Sequence, residues 1–392
     1  MRSRAVLALL LLLLLRRALF AQAVLQSTTH FLQHSCAAYE ASHARLVQDA
    51  MSQFPDGFSA ADVLHAAAGR NDSRLARELG PVRPLLYVLE GTLCMDRTLP
   101  QPGGKRLRNF EYFGLPVLSS LAARMALPDM LLHYSPFDEQ GGGGDDVAGG
   151  ADVAPSFGYC GVPQQERALL LPDALPPAAL QCPAGGCEPG PADRREPRAV
   201  FLGSPTGWRK GKRKAVLLAA QAHPEAVHAG LTEDPDQLLS AEETALFGRA
   251  QFLELEEQVQ RFKYVVNVEG NCAALRLKRL LASPCAVLFV QSDEIEWFYP
   301  LLKPWVHYIP VGFAWDGNGQ PRADIASAVT WAEAHPRRVA RIVRAANAFA
   351  ELHLSRRGQE CYAARLLQAY ALALRDPWTV RRLKPRTRAV YS

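Results

Sequence analysis

Residues 262–311 constrain this chain more than any other stretch, because they alternate strand-prone and helix-prone runs around a glycine turn. Tyr264, Val265, Val266, Asn267 and Val268 form a β-prone run that stops at the turn signal Glu269-Gly270-Asn271. Residues 273–282 favour helix, with Leu275, Leu277, Leu280 and Leu281 apolar and Arg276, Lys278 and Arg279 interleaved. Ala286–Val290 is predicted as a buried strand, residues 292–302 as a helix with an N-cap serine and acids in its first turn, and residues 305–311 as another strand. This alternation implies a parallel sheet with helices on both faces.

A strand, glycine turn and helix in that order present unpaired backbone N–H groups and the positive end of a helix dipole above the sheet, which suits a diphosphate. Arg276 in the first turn would add a bidentate charge. The same corner serves equally as a plain connection, with Lys278 and Arg279 on a solvated helix face.

The strings Lys263-Tyr-Val-Val-Asn-Val-Glu-Gly-Asn271, Arg276-Leu-Lys-Arg-Leu-Leu281, Glu296-Trp-Phe298 and Leu302-Lys-Pro-Trp-Val-His-Tyr-Ile-Pro-Val311 together resemble the C-terminal signature of the family 90 glycosyltransferases. That family includes protein O-glucosyltransferases and capsule-associated xylosyltransferases. Phe201-Leu-Gly-Ser-Pro-Thr206, followed by Arg209 and Arg213, is similar to the family's aromatic-Arg-Gly-Ser-x-Thr donor loop, with Leu202 in place of the arginine. From the residues alone this segment is a strand over 199–202, a small-residue turn and a basic stretch entering a helix near Val216. Gly203 permits close backbone approach, and the hydroxyls of Ser204 and Thr206 can donate to phosphate oxygens. The plain alternative is a loop with surface lysines. Upstream, residues 127–138 resemble the segment that ends in the family's catalytic aspartate, the matching position being Asp138, and residues 154–159 resemble its short Pro-x-Phe strand. Taken alone, Asp138 is an acid beside a glycine-rich loop, where a turn or N-cap role serves as well, and Asp129 reads as a turn residue.

The resemblance spans roughly residues 36–374. It implies a GT-B-like α/β fold, two Rossmann-type lobes with a cleft between them, and a metal-independent inverting transfer of glucose or xylose. The donor it implies is UDP-glucose or UDP-xylose and the acceptor a protein or glycan hydroxyl, with no cofactor beyond the donor. Asp138 would take the acceptor's proton as its oxygen attacks the anomeric carbon. One carboxylate suffices, unlike the pair used in glycoside hydrolysis. The implied nucleotide site comprises Gly203, Ser204, Thr206, Arg209, Arg213, Gly270, Asn271, Cys272, Ala273, Ala274, Arg276 and Glu296, with no metal ligand. Two departures, Leu202 and a linker that holds Leu171-Pro-Asp-Ala-Leu-Pro-Pro and no tryptophan before Trp208, leave the sugar and acceptor open. The alternative is a non-catalytic, sugar-binding protein of the secretory pathway that keeps the fold.

Met1 to Arg4 form a basic n-region, residues 5–15 an apolar run of h-region length, and Ala21-Gln-Ala23 a small-residue cleavage site, so residues 1–23 read as a signal peptide. The run is short for a bilayer span and is cut by Arg16 and Arg17; an uncleaved anchor is the alternative, and only then is a membrane a partner. Both readings place the chain in the lumen of the endoplasmic reticulum or Golgi. Eight cysteines can pair there. Cys182 and Cys187 bracket a short loop, Cys272 and Cys285 read as buried thiols flanking the proposed phosphate site, and the resemblance implies that Cys36 and Cys361 tie the chain ends together. Asn71-Asp-Ser73 is a glycosylation sequon.

At 392 residues, 48% apolar and a net charge of +5, the chain can build two domains, and its charge makes no case for nucleic acid. The expected N-terminal, acceptor-side lobe covers 24–195. It holds helices near 36–51 and 117–125, a strand pair in 87–95 around Glu90-Gly91, a glycine-rich loop at 140–150 and a Pro/Gly linker at 171–197. Asp145 and Asp146 in that loop have a metal site as their alternative reading. The nucleotide-sugar lobe covers 196–375 and ends in helices near 325–334, 337–353 and 358–374, before a basic tail at 376–392.

Overall fold

The structure, a computed structural model, describes residues 22–24, 26–69, 85–96, 115–134, 155–162, 168–172, 194–234, 237–382 and 387–389. The basic and apolar N-terminal regions, the sequon, Asp138, the glycine-rich loop, Cys182, Cys187 and most of the Pro/Gly linker lie outside the described residues. Two compact units divide the chain, one of residues 1–174 with 356–392 and one of residues 175–355.

In the first unit, strands Leu85–Leu89 and Thr92–Asp96 form a hairpin turned at Glu90 (φ 52°) and Gly91 (φ 80°), the paired left-handed residues that a two-residue hairpin turn needs. Asp129 accepts from the Glu90 N–H at 2.7 Å, in keeping with a turn role. Met130–His133 flanks the hairpin on one side and Thr387–Ala389 on the other, giving a four-stranded antiparallel sheet. The hairpin is antiparallel because a two-residue turn returns the chain beside itself. The same unit also holds a parallel pair, Ser156–Gly158 with Ala168–Leu170, and a parallel bridge from Tyr134 to Phe157.

Helix Arg356–Ala373 also belongs to the first unit, where the sequence had placed it in the nucleotide lobe. Two sets of contacts hold it there. Cys361 is bonded to Cys36, as the resemblance implied. The buried Glu360 carboxylate accepts from Arg124 Nη1 at 2.6 Å, Ser120 Oγ at 2.5 Å and Arg356 Nε at 3.0 Å, which fixes the helix against Leu115–Ala122.

The second unit is the α/β layer that the sequence pattern implied. Strands β1 (Glu196–Gly203), β2 (Val227–Leu231), β3 (Phe262–Asn267), β4 (Ala286–Val290) and β5 (Ile309–Val311) form a parallel sheet in the order β5-β4-β3-β1-β2. Alternate residues of four strands, Ala199 and Phe201, Tyr264 and Val266, Ala286 and Leu288, Ile309 and Val311, point into one core. Helices α1 (Lys212–Ala222), α2 (Leu277–Leu281), α3 (Ile325–Ala334) and α4 (Pro336–His353) belong to the same unit, as do the short helices Ala241–Phe247 and Leu255–Arg261. In α4, Pro336 starts the helix, Val339, Ile342, Val343, Ala346 and Phe349 are buried, and Arg337, Arg338, Arg341 and Arg344 face solvent. Each fully buried aliphatic or aromatic side chain contributes about 1.5–3 kcal/mol.

Three predicted elements around the glycine turn are shorter than expected. The helix expected over 273–282 is only α2, because the Gly270 N–H donates to Cys272 O at 2.9 Å and the chain stays in turns until Arg276. Residues 292–302 do not form a helix. Ser292 Oγ donates to Glu294 O at 2.7 Å and to Glu269 rather than capping, and a two-residue strand at Ile295–Glu296 and a 3₁₀ turn at Tyr299–Leu301 follow. The strand expected over 305–311 starts at Ile309, since Trp305 (φ 62°) opens a turn whose N–H donates to Tyr308 O at 2.8 Å.

Candidate functional site

The order β5-β4-β3-β1-β2 reverses direction between β1 and β3, and in open α/β sheets ligands bind beyond the carboxyl ends of the strands at such a switch point. Two loops leave the sheet there. One runs from Gly203 at the end of β1 through Ser204 and Thr206 to α1. The other runs from Asn267 at the end of β3 through Glu269, Gly270 and Asn271 to Arg276.

Glycine at two positions lets these loops touch. Gly207 has a left-handed φ of 70°, and a Cβ there would lie 2.1 Å from Gly270 O. A Cβ on Gly270 would lie 2.7 Å from both Thr206 Oγ1 and Arg213 Nη2. Asn271 latches the contact, its Oδ1 accepting from the Gly207 N–H and its carbonyl from Lys210 Nζ, both at 2.7 Å.

Above this seam sit two half-buried guanidiniums. Arg276 donates to Val266 O at 2.9 Å and Leu202 O at 3.4 Å, bridging the ends of β3 and β1, and its Cζ lies 4.7 Å from the Phe201 ring centroid. Arg213 donates to Ser204 O at 2.6 Å and Glu269 O at 3.1 Å, with its Cζ 5.6 Å from the same ring. Burial pushes the Arg276 pKa down to about 9, and the charge of Arg213 adds to the fall. Burial likewise pushes Arg213 down to about 10, partly offset by Glu269. Both remain cations at neutral pH. Burial disfavours both charges, and an anion between the two guanidiniums would relieve that cost. Ser204 Oγ and Thr206 Oγ1, 3.4 Å apart, stand beside Arg213 as further donors.

Glu269 is the organiser that sequence reasoning missed. Its buried carboxylate lies 3.1 Å from Lys212 Nζ and 3.8 Å from Lys210 Nζ, and accepts from Ser292 Oγ and from the Asp293 N–H at 3.2 Å. Lys210 also meets Glu294 at 2.7 Å and Lys212 meets Asp293 at 2.9 Å. A single acid closing the apolar run of β3, with a Lys-x-Lys-Arg stretch elsewhere in the chain, was the available signal.

The other expected residues divide. Cys272, Ala273 and Ala274 are buried in the turn ahead of Arg276. Cys272 is disulfide-bonded, which corrects its reading as a thiol, whereas Cys285 is a buried thiol as expected. Arg209 is exposed. Glu296 is buried, and burial raises its pKa while Lys278 opposes the rise. Lys278 is therefore not on a solvated face; Arg279 is, paired with Glu256. With five residues, α2 offers no helix N-terminus for an anion, and Arg276 is its N-cap residue, so the charge at this corner comes from side chains. Among the described residues, no group of three His, Cys, Asp or Glu could hold a metal ion, and no helix is long and apolar enough to cross a membrane.

The sequence profile of glycosyl transferase family 90 matches residues 189–386, a span that contains the whole of this site. The chain belongs to that family. Family 90 relatives include an O-glucosyltransferase rumi homolog of Anopheles gambiae, 31% identical over 48% of this chain and 45% of its own length. Protein O-glucosyltransferase 3 of Mus musculus is 26% identical over 67% of this chain and 51% of its own. Protein O-glucosyltransferase 2 of Danio rerio is 39% identical over 28% of this chain and 21% of its own. The chain thus spans about half or less of the length of these relatives. Within the family span, the side chain of Leu202 is buried, and its Cδ2 would lie 3.8 Å from a Cβ built on Gly230.

Proposed function

We propose that the chain transfers a sugar, glucose or xylose, from a UDP-sugar to a hydroxyl of a protein or glycan, with inversion and without a metal. The observation that carries this reading is the guanidinium pair over Phe201 at the switch point, two half-buried cations held by backbone carbonyls of the β1 and β3 loops. Two guanidiniums, with the Ser204 and Thr206 hydroxyls beside them, supply the charge and donors that stabilise a departing diphosphate, the role a divalent cation fills in other transferases. Fixed donors aimed at developing charge need no reorganisation during reaction. The O-glucosyltransferase names of the relatives favour glucose and a protein acceptor. The GT-B-like class fits the second unit as the nucleotide-binding part, and the Cys36–Cys361 bridge fits a secretory compartment.

The deciding experiment incubates the purified full chain with a panel of UDP-sugars and an acceptor protein and measures UDP release. Release with one or two sugars supports transfer; binding of UDP-sugars without release in any combination leaves a non-catalytic sugar-binding protein. Arg276→Ala is expected to weaken UDP binding about ten- to hundred-fold, since hydrogen bonds to a charged group contribute roughly 1.5–3 kcal/mol. Calorimetry showing equal affinity would remove Arg276 from the site.

A further inference from the structure

Helix α4 carries Arg337, Arg338, Arg341 and Arg344 on its solvent face, at i, i+1, i+4 and i+7. Glu351, the one acid in the sequence of the helix, lies about two turns beyond Arg344. Glu333, just ahead of the helix, is taken by Lys263 at 3.2 Å and by the Tyr264 hydroxyl. Among the described residues, none of the four arginines is in an ion pair. Arg337 and Arg338 stand in the first turn, which holds no acid and where the helix dipole disfavours cations. Like charges three and four residues apart destabilise a helix, so folding does not account for this crowding. Aromatic side chains continue the strip past the helix start. The Arg338 Cζ lies 5.4 Å from the Trp331 ring centroid, and the Trp331 ring meets that of Trp305 edge-on with centroids 4.7 Å apart. Trp305 holds a left-handed φ of 62°, a costly backbone for a bulky residue, and is 47% exposed. Strain that leaves an indole in solvent points to a contact surface rather than to packing.

We infer that this strip binds an acidic polysaccharide, with sulfate or carboxylate groups on the arginines and a sugar ring against Trp305. Guanidiniums pair bidentately with such oxyanions, and the arginine spacing sets the pairs at steps of about 5 Å along the helix axis, which a linear polyanion can follow. An indole offers a flat apolar face for the C–H face of a pyranose. An acidic protein surface fits less well, because a protein interface buries an apolar centre, whereas here the centre is cationic and the indoles stand at one end. A lipid surface fits less well too. The strip has no apolar run to enter a bilayer, and anionic lipid is concentrated on the cytoplasmic leaflet, away from the compartment that the Cys36–Cys361 bridge fits. This binding needs neither donor nor transfer, so its failure leaves the UDP-sugar reading untouched.

The test measures binding of the full chain, over a range of salt, to oligosaccharides of heparin, hyaluronan and maltose, to poly-glutamate of matched charge and to phosphatidylserine vesicles. Heparin or hyaluronan should bind and the uncharged maltose oligomer should not; the tighter of the two acidic probes assigns sulfate or carboxylate. Arg337→Ala with Arg341→Ala and Arg344→Ala should weaken that probe at least about tenfold. The slope of log affinity against log salt should fall by about two, the change expected for three contacts on a flexible polyanion. Removing like charge from an exposed helix face should leave the melting temperature equal or higher, which separates lost binding from lost fold. Trp305→Ala should weaken the oligosaccharide with the slope unchanged and leave poly-glutamate alone. Arg279→Ala with Arg322→Ala, a loss of cations elsewhere in the unit, should bind as the wild type does. No binding of either acidic oligosaccharide overturns the assignment, as does an unaltered arginine triple variant, an unaltered Trp305→Ala chain or an equal loss in the Arg279 and Arg322 variant. Tighter binding of poly-glutamate or vesicles than of both oligosaccharides would make the strip a protein or membrane contact instead.

Discussion

Asp138→Asn is expected to bind UDP as the wild type does and to transfer sugar about 10²–10⁴ times more slowly, the usual contribution of a general base. The donor site explains why the base must come from elsewhere. Its cations and backbone donors can hold and stabilise a departing diphosphate, but its acids are committed: Glu269 to Lys212, Glu294 to Lys210 and Asp293 to Lys212. Glu296 is buried at 1% exposure, which keeps it from an acceptor arriving from solvent. The resemblance points to Asp138, outside both the described residues and the family span of 189–386. Single-turnover transfer, read beside UDP calorimetry, separates the two roles. Asparagine keeps the size of the side chain but cannot accept the proton, so a loss confined to transfer marks a base. Unchanged turnover would remove Asp138 from the reaction, and a parallel loss of UDP affinity would make it part of donor binding.

What the sequence conveyed was set by how locally each feature is determined. Strands β3 and β4 and helices α3 and α4 follow from apolar runs of the right period, which any neighbour in the sheet would reinforce. The Glu90-Gly91 turn was legible because a two-residue hairpin demands left-handed backbone, and glycine supplies it. Residues 292–302 misled because Ser292 satisfies N-cap chemistry on paper, yet its hydroxyl is taken by Glu269, more than twenty residues away in the chain. Lys278 reads as one of a pair of surface bases until the fold turns it inward toward Glu296. The site shows the same division. Gly270, Arg213 and Arg276 stood out as residue types that phosphate chemistry needs, whereas Glu269 acquires its role only when the β1 and β3 loops meet.

Removing the Cys36–Cys361 bridge by Cys36→Ser with Cys361→Ser is expected to cost the first unit about 2–5 kcal/mol of stability. The bridge joins residues 325 apart, and the closed loop contains all of residues 175–355. Loop-closure entropy grows only with the logarithm of length, so this long loop adds modestly to the effect of a short one. The second unit has its own parallel sheet and core, and the cation pair and Glu269 both belong to it. Hydrogen exchange should therefore show lost protection in Leu85–Leu89 and Arg356–Ala373, retained protection in β3 and β4, and UDP affinity equal to that of the wild type. The Glu360 cluster with Arg124, Ser120 and Arg356 remains in the variant, so helix Arg356–Ala373 is loosened rather than released. A fall in UDP affinity matching the loss in the first unit would show that the donor site depends on residues beyond 175–355, and would move the division of labour away from the second unit.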